Sequence, residues 1–321
     1  DLGEGTDILA GENELYELPT EPFGGLEQLS WSPDGKFIAY SCRKLVGKKY
    51  AFSTDTEIYL YNIETGSSEV IDMKGGYDTD PVWSPDGQQI AFASDRMGGM
   101  DIYIVNKDGG LPTRLTTHSG NETPLTFKDN EHILFQANIL PASDDMQFAS
   151  AQFPQVYEVS TEGGRPVMFS SMPMEDISFS PDGKSLLYHD KKGYEDAWRK
   201  HHTSSITRDI WLYSPAAGQK SFGINSEGSF KKLTDFNGED RNPVFASDGK
   251  TFYYISEKDG TYTWRNSDGV EFTRTLDTDG YVITITDTIN IPPRIYIIRI
   301  YCFRSRDVCS SRNLYIPYIA I

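Results

Sequence analysis

With 321 residues the chain can form one large domain or two ordinary ones around a substantial core. Thirty Lys and Arg against 47 Asp and Glu leave a net charge of −17, which repels nucleic-acid phosphates and anionic lipid and argues against nucleic-acid binding. No apolar run reaches the roughly 18 residues of a membrane-spanning helix, and the three cysteines, Cys42, Cys302 and Cys309, make neither a disulfide scaffold nor a Cys-x-x-Cys site.

The chain opens at Asp1 without a basic-then-apolar leader, as expected of either a removed signal peptide or an excerpt. Residues 1–26 form an N-terminal arm, of which 8–25 are a candidate added strand. From there a repeat takes over. WSPDGKFIAY begins at Trp31, WSPDGQQIAF at Trp83, FSPDGKSLLY at Phe179 and FASDGKTFYY at Phe245, with FKDNEHILF at Phe127 a worn copy. Successive copies lie 52, 44, 52 and 66 residues apart. Each is followed by a second element (EIYLYNIETG from Glu57, DIYIVNKDGG from Asp101, QVYEVSTEGG from Gln155, DIWLYSPAAG from Asp209). A third, such as RLTTH or KLTDF, closes the unit.

The unit reads strand, Pro-Asp-Gly turn, strand, loop, strand, Gly-rich turn, strand. Asp-Gly and Gly-Gly supply the positive φ of tight turns, and the preceding proline presets the chain. IAF and IYIV are nearly continuous apolar runs, which suit strands covered on both faces. Four-stranded units of this length are propeller blades. The fold class is therefore all-β, a β-propeller with blades at 27–76, 77–119, 120–172, 173–236 and from 237 to 263 onward.

Residues 264–321 break the pattern. Residues 261–321 hold seven Arg, no Lys and 11 Ile, against 16 Lys and seven Arg before them, and contain no Pro-Asp-Gly turn. YVITIT and RIYIIRIY have strand propensity, so this anomalous tail is expected to form a hairpin or a last blade. A frame change after about Tyr262 would account for its composition. A ring drawing its last blade from such a tail is expected to be poorly closed, with bare apolar faces on blades one and five.

The pattern PVWSPDGxxIAFxSDRxGGxDIY, Pro81 to Tyr103, resembles the TolB-like six-bladed propellers. From about Tyr77 to Thr263, SDRMGGMDIYIV, LTTHSGNETP, KKGYEDAWRKHHTSSITRDIWLY and NGEDRNPVFASDGKTFYYISEKDG together resemble the first propeller of the tricorn-type proteases. Those are serine peptidases whose propellers precede a PDZ module and a catalytic core. The first 76 residues, with PFGGLEQLSWSPDGKFIAY and EIYLYNIETG, resemble a blade of the prolyl oligopeptidase family propeller. The two resemblances meet at Tyr77 to Gly87, where a homologous crossover would place the join.

Both families keep catalysis outside the propeller. The chain has no Gly-x-Ser-x-Gly nucleophile elbow, no His-Glu-x-x-His, no P-loop, no Gly-x-Gly-x-x-Gly and no EF-hand spacing. No catalytic residue and no cofactor is assigned.

The stretch DAWRKHHTSSITRDIW, Asp196 to Trp211, is the densest in chemistry, and the repeat places it between the second and third strands of blade four. Adjacent His201 and His202 point to opposite sides of an extended segment, which disfavours a joint metal site with His189 or Asp190. Ser204 or Ser205 with His202 lacks an orienting acid and an oxyanion donor. Packing onto a neighbouring blade or recognition of a peptide or partner domain remain, with Arg199, His201, His202, Ser204 and Arg208 as contacts. His118 and Glu122, in LTTHSGNETP, lie on a crossing that either borders the channel or packs blades. In SDRMGGMDIY, Asp95 and Asp101 suit a blade turn and a strand start better than calcium.

The expectation is a non-catalytic propeller domain of a tricorn-like or prolyl-oligopeptidase-like serine protease, binding or gating peptides or docking on catalytic domains. The alternative is a free-standing TolB-like scaffold joining cell-envelope proteins. A periplasmic or secreted location is expected, with a cytoplasmic one as the alternative.

Overall fold

The computed structural model describes residues 6–13, 16, 18, 20, 28–71, 75–139, 154–193, 203–216, 228–246, 248–258, 263–266, 274–277, 280–283 and 315–316. The described residues fall into two compact units, the second running from Leu115 to Arg274.

In the first unit, β1 (Thr6–Asp7) precedes two four-stranded antiparallel sheets. Blade one is β2 (Leu29–Trp31), β3 (Phe37–Cys42), β4 (Glu57–Asn62) and β5 (Ser67–Val70), with a short helix α1 (Lys48–Phe52) between β3 and β4. Blade two is β6 (Asp78–Trp83), β7 (Gln89–Ser94), β8 (Asp101–Asn106) and β9 (Thr113–Arg114). In the second unit, blade three is β10 (Thr123–Phe127), β11 (His132–Ala137), β12 (Gln155–Ser160) and β13 (Val167–Ser170). Blade four is β14 (Met174–Phe179), β15 (Leu186–Asp190), β16 (Ile210–Pro215) and β17 (Gly228–Lys232). Blade five shows three strands among the described residues: β18 (Asp240–Phe245), β19 (Phe252–Ser256) and β20 (Thr263–Asn266). Further along, β21 (Arg274–Asp277) and β22 (Gly280–Ile283) form a two-stranded sheet, and β23 (Tyr315–Ile316) pairs with β1. RIYIIRIY and Tyr262 lie outside the described residues.

The repeated turn is built the same way in blades one, two and four. In blade two the Ser84 hydroxyl donates to Asp86 Oδ1 at 2.6 Å and accepts from Gln89 N–H at 2.9 Å, while Asp86 accepts from Gln88 N–H at 3.0 Å. Ser32 with Asp34 and Ser180 with Asp182 repeat it. The serine hydrogen bond, then the backbone amide, hold the Asp86 carboxyl below its usual range. Gly87 has φ +68, and a Cβ there would lie 3.5 Å from Pro33 of the preceding blade. The glycine thus answers to both the turn and blade packing.

Period-two alternation sends the apolar runs to both faces. Ala39, Ile58 and Leu60 of blade one pack on Trp83, Ile90, Phe92 and Tyr103 of blade two. On β15, Leu186 and Tyr188 join Leu134, Val156 and Phe169 of blade three, while Leu187 joins Phe252 and Tyr254 of blade five. The other face of blade one (Leu29, Ile38, Tyr40, Cys42, Tyr61), expected to lie bare, is instead covered by Ile8, Leu9, Tyr16 and Leu18. The arm stays because its apolar side chains remove that face from water and Lys44 bonds Glu12 at 2.5 Å. Residues 8–13 are turn rather than strand, so the arm acts as a pad.

Each first strand of blades two to five carries a register shift, between Thr79 and Val82, Pro124 and Thr126, Glu175 and Ser178, and Arg241 and Val244. Three of these bulges hold a left-handed acid or amide, Asp80, Asp176 and Asn242 at φ 56, 49 and 54.

Fully buried Asp78, at the start of β6, takes both oxygens to Arg96 Nη2 at 2.9 and 2.8 Å. Arg96→Met removes this buried ion pair and should cost about 3–5 kcal/mol, read as a lowered urea midpoint. Lys107→Met, which removes the exposed pair with Asp108, should move the midpoint little.

Candidate functional site

The insertion lies between β15 and β16, as the repeat predicts. Arg199, His201 and His202 fall outside the described residues. Ser204 opens a turn docked on the blade four to blade five crossing: its N–H donates to Asn237 O at 3.3 Å and its hydroxyl oxygen accepts from Ile206 N–H at 3.3 Å. Thr207, buried, donates its hydroxyl to Ser204 O at 2.9 Å. The Ser204 hydroxyl serves as a turn acceptor.

Arg208 is half-buried between two carboxylates. Its Nε donates to Glu175 Oε2 at 3.2 Å and its Nη1 lies 3.4 Å from Glu239 Oε2. Burial pulls its pKa down, but the two carboxylates prevail and raise it above the usual guanidinium value. The same Glu175 accepts from Lys191 Nζ at 2.9 Å and meets His189 Nε2 at 3.0 Å. Burial alone would raise Glu175; the His189 hydrogen bond, Lys191 and Arg208 overcome it and hold the carboxyl far below the carboxylate range.

His189 sits on the blade five side of β15, opposite in direction to Tyr188. Asn242 N–H donates to its Nδ1 at 3.2 Å, so Nδ1 is the acceptor and Nε2 carries the hydrogen given to Glu175. Asp176 Oδ2 stands 3.5 Å from Nδ1 and accepts from Asn242 Nδ2 at 2.5 Å. Glu175, Asp176, His189, Lys191, Glu239 and Asn242 thus form a polar network with Arg208 that the sequence reading missed, His189 excepted. A spacing signal existed: His189 and Glu175 are register partners across β14 and β15.

Asp190 accepts from Asp209 N–H at 2.9 Å and Trp211 Nε1 at 3.0 Å. Buried Asp209 bonds Lys192 and lies 2.9 Å from Lys232. No group of three or more His, Cys, Asp or Glu among the described residues is arranged to hold a metal ion. In blade two, Asp95 accepts from Tyr77 N–H at 2.7 Å and Asp101 pairs with Arg114 at 2.8 Å, as a turn and a strand start require. His118 accepts from Gly120 N–H on Nδ1 at 3.0 Å, and buried Glu122 accepts from the Thr116 hydroxyl. Both belong to the 116–122 crossing, whereas Arg208 belongs to the Glu175 network.

Asp240 occupies in blade five the place of Asp78 in blade two, since Asp78 pairs with Ser94 and Asp240 with Ser256. The Arg96 position is then Lys258, which is exposed. Burial first, and then Asp209, push Asp240 up to about 6, against hydrogen bonds from Ser256 and Thr234 and the charge of Arg265.

The sequence profile of the tricorn protease N-terminal β-propeller domain matches residues 41–285. Dipeptidyl-peptidase 5 of Porphyromonas gingivalis is 46% identical over 236 residues, covering 72% of this chain and 33% of that protein. Tricorn protease homolog 1 of Streptomyces coelicolor is 23% identical over 239 residues, covering 73% of this chain and 20% of that protein. The crystal structure of the tricorn protease superposes with a TM-score of 0.54 at 20% identity, over 78% of this chain and 23% of that one. The chain thus spans a third or less of the length of these curated relatives.

Asp240 supplies a pH test. Its pKa in the fold, about 6, exceeds the ordinary 3.8, so between these values the folded chain holds a proton that the unfolded chain lacks. This contribution is fully present below 3.8 and is lost as pH rises through 6. Asp240→Asn should therefore stabilise the protein by about 1–3 kcal/mol at pH 8, with the gain vanishing near pH 4, in urea melts at the two pH values. Glu175 acts oppositely: its contribution is present above its ordinary 4.5 and lost in stronger acid.

The matched profile spans most of the blades, and the four-stranded sheets with their repeated turns agree with it; the chain belongs to the family of tricorn protease N-terminal β-propeller domains.

Proposed function

We propose that the chain is the non-catalytic propeller of a serine-peptidase-related protein and that it holds or screens peptides for a catalytic domain. The observation that carries this is the 46% identity to a dipeptidyl-peptidase over 236 residues, about a third of that protein. Two features support it. The Ser204 hydroxyl accepts a turn hydrogen bond, and Arg208 is bound by Glu175 and Glu239, so the described part of the insertion is organised for shape. The net charge of −17 favours cationic peptides.

Two measurements test the reading. Fluorophosphonate labelling of the purified chain should be negative, and labelling lost in Ser204→Ala or Ser205→Ala would overturn the non-catalytic assignment. Fluorescence anisotropy with short lysine-containing peptides should show saturable binding that weakens with salt. Peptides that fail to bind at any ionic strength would remove the screening role and leave a scaffold.

A further inference from the structure

The loop that joins blade three to blade four, from Ser170 to Met174, is held by one hydroxyl. Ser170 Oγ accepts from Met172 N–H at 3.1 Å and donates to Met172 O at 3.2 Å. With its backbone fixed in this turn, Met172 is 41% exposed while its sulfur reaches inward. The Tyr188 hydroxyl donates to Met172 Sδ at 3.3 Å, and that sulfur is its one acceptor among the described residues. Tyr188 is fully buried in the core that Leu134, Val156 and Phe169 of blade three share with Ile177, Leu186 and Tyr213 of blade four. Burial, then the Asp190 charge, push its phenol up, so it stays a donor.

A thioether sulfur carries two lone pairs and is a weak acceptor. At Met172 the phenol proton takes one of them on the core side, and the exposure of the side chain turns the other to solvent. Met97 sets the contrast: it is 66% exposed, and no described residue donates to its sulfur. Methionine thioethers take an oxygen atom from peroxides. A sulfur lone pair attacks one oxygen of hydrogen peroxide, the O–O bond breaks and an S–O bond forms. The hydroxyl proton passes to the departing oxygen, which leaves as water. The sulfur gives up two electrons and the peroxide gains them.

We propose that Met172 is a peroxide-oxidation site at which Tyr188 sets the configuration of the sulfoxide, and through which oxidation loosens the core between blades three and four. The oxygen enters on the solvent-side lone pair, so one sulfoxide epimer forms in excess. The oxidised sulfur is a poorer acceptor, because its electron density is drawn to the new oxygen, and that oxygen points away from Tyr188. A buried hydroxyl is left without its acceptor, which costs stability. At Met97 no donor distinguishes the two lone pairs and no core group depends on the sulfur. The site stands apart from the peptide-screening reading, since neither the chain's charge nor the insertion takes part.

The test treats the full chain with hydrogen peroxide and follows Met97 and Met172 by peptide mass spectrometry. Peptides from the digest are then offered to the two types of methionine sulfoxide reductase, each of which takes one epimer. At Met172 one reductase should remove at least about fourfold more sulfoxide than the other, while at Met97 the two should agree within about twofold. Tyr188→Phe, which keeps the ring, should erase the bias. Oxidation should lower the melting temperature of the parent by about 2–4 °C and leave that of Met172→Leu in place. Circular dichroism checks that both variants fold, and the epimer ratio of the parent with the melting of Met172→Leu decides the matter if Tyr188→Phe does not. Equal epimers at Met172, a bias that survives Tyr188→Phe, or a Met172 that stays reduced where Met97 is oxidised would overturn the proposal. So would an unchanged melting temperature in the oxidised parent, or an equal fall in Met172→Leu.

Discussion

A four-stranded sheet has two apolar faces here, and each must be kept from water. Blade one has blade two on one face and a pad on the other, and blade four lies between blades three and five. β15 shows the logic in four residues: Leu186 and Tyr188 face blade three, while Leu187 and His189 face blade five. The same requirement explains why the described residues of the N-terminal arm lie over blade one. Ile8, Leu9, Tyr16 and Leu18 occupy the side where no further blade of the first unit stands. Apolar burial at about 25 cal/mol per Å² makes such a pad worth several kcal/mol.

Once the faces are committed, polar groups at the strand ends have few ways to be satisfied. Asp78 and Asp240 begin the first strands of blades two and five, Glu122 directly precedes that of blade three, and all three are buried. Asp78 has Arg96, Glu122 has the Thr116 hydroxyl, and Asp240 has Ser256 and Thr234 but an exposed lysine where Arg96 stands in blade two. A guanidinium can give one nitrogen to both oxygens of a buried carboxylate while its carbon lies over the Phe92 and Tyr103 rings. An ammonium on a flexible stem stays hydrated. The position is a fixed ion pair in blade two, whereas in blade five burial and Asp209 leave a carboxyl pushed up to about 6.

The blades were legible because their signal is local. Ser-Pro-Asp-Gly builds its turn from hydrogen bonds spanning no more than five residues, and the alternating apolar runs need no knowledge of partners. The place of the insertion followed from the repeat alone. What the sequence hid was the choice of partner. Arg208 reads as an available cation in a loop, yet Glu175, 33 residues away, and Glu239, 31 away, claim it. The cover of blade one was hidden for the same reason, since Tyr16 meets Tyr40 and Tyr59 only after the sheet exists.

That distinction bears on where recognition can reside. A cation in a propeller loop is open to a ligand only when no buried carboxylate lies within reach of its stem. Arg96, Arg114, Lys192 and Arg208 each reach such an acid, and their charge is spent on the fold. Lys48 and Lys49 sit on a helix that buries nothing, beside an aromatic ring that nothing covers. The insertion is rich in chemistry by composition, yet the described part of it is tied into the core. In the plainer loop of blade one, Lys44 is spent on Glu12 and Arg43 on Tyr50, while Lys48, Lys49 and Phe52 stay exposed.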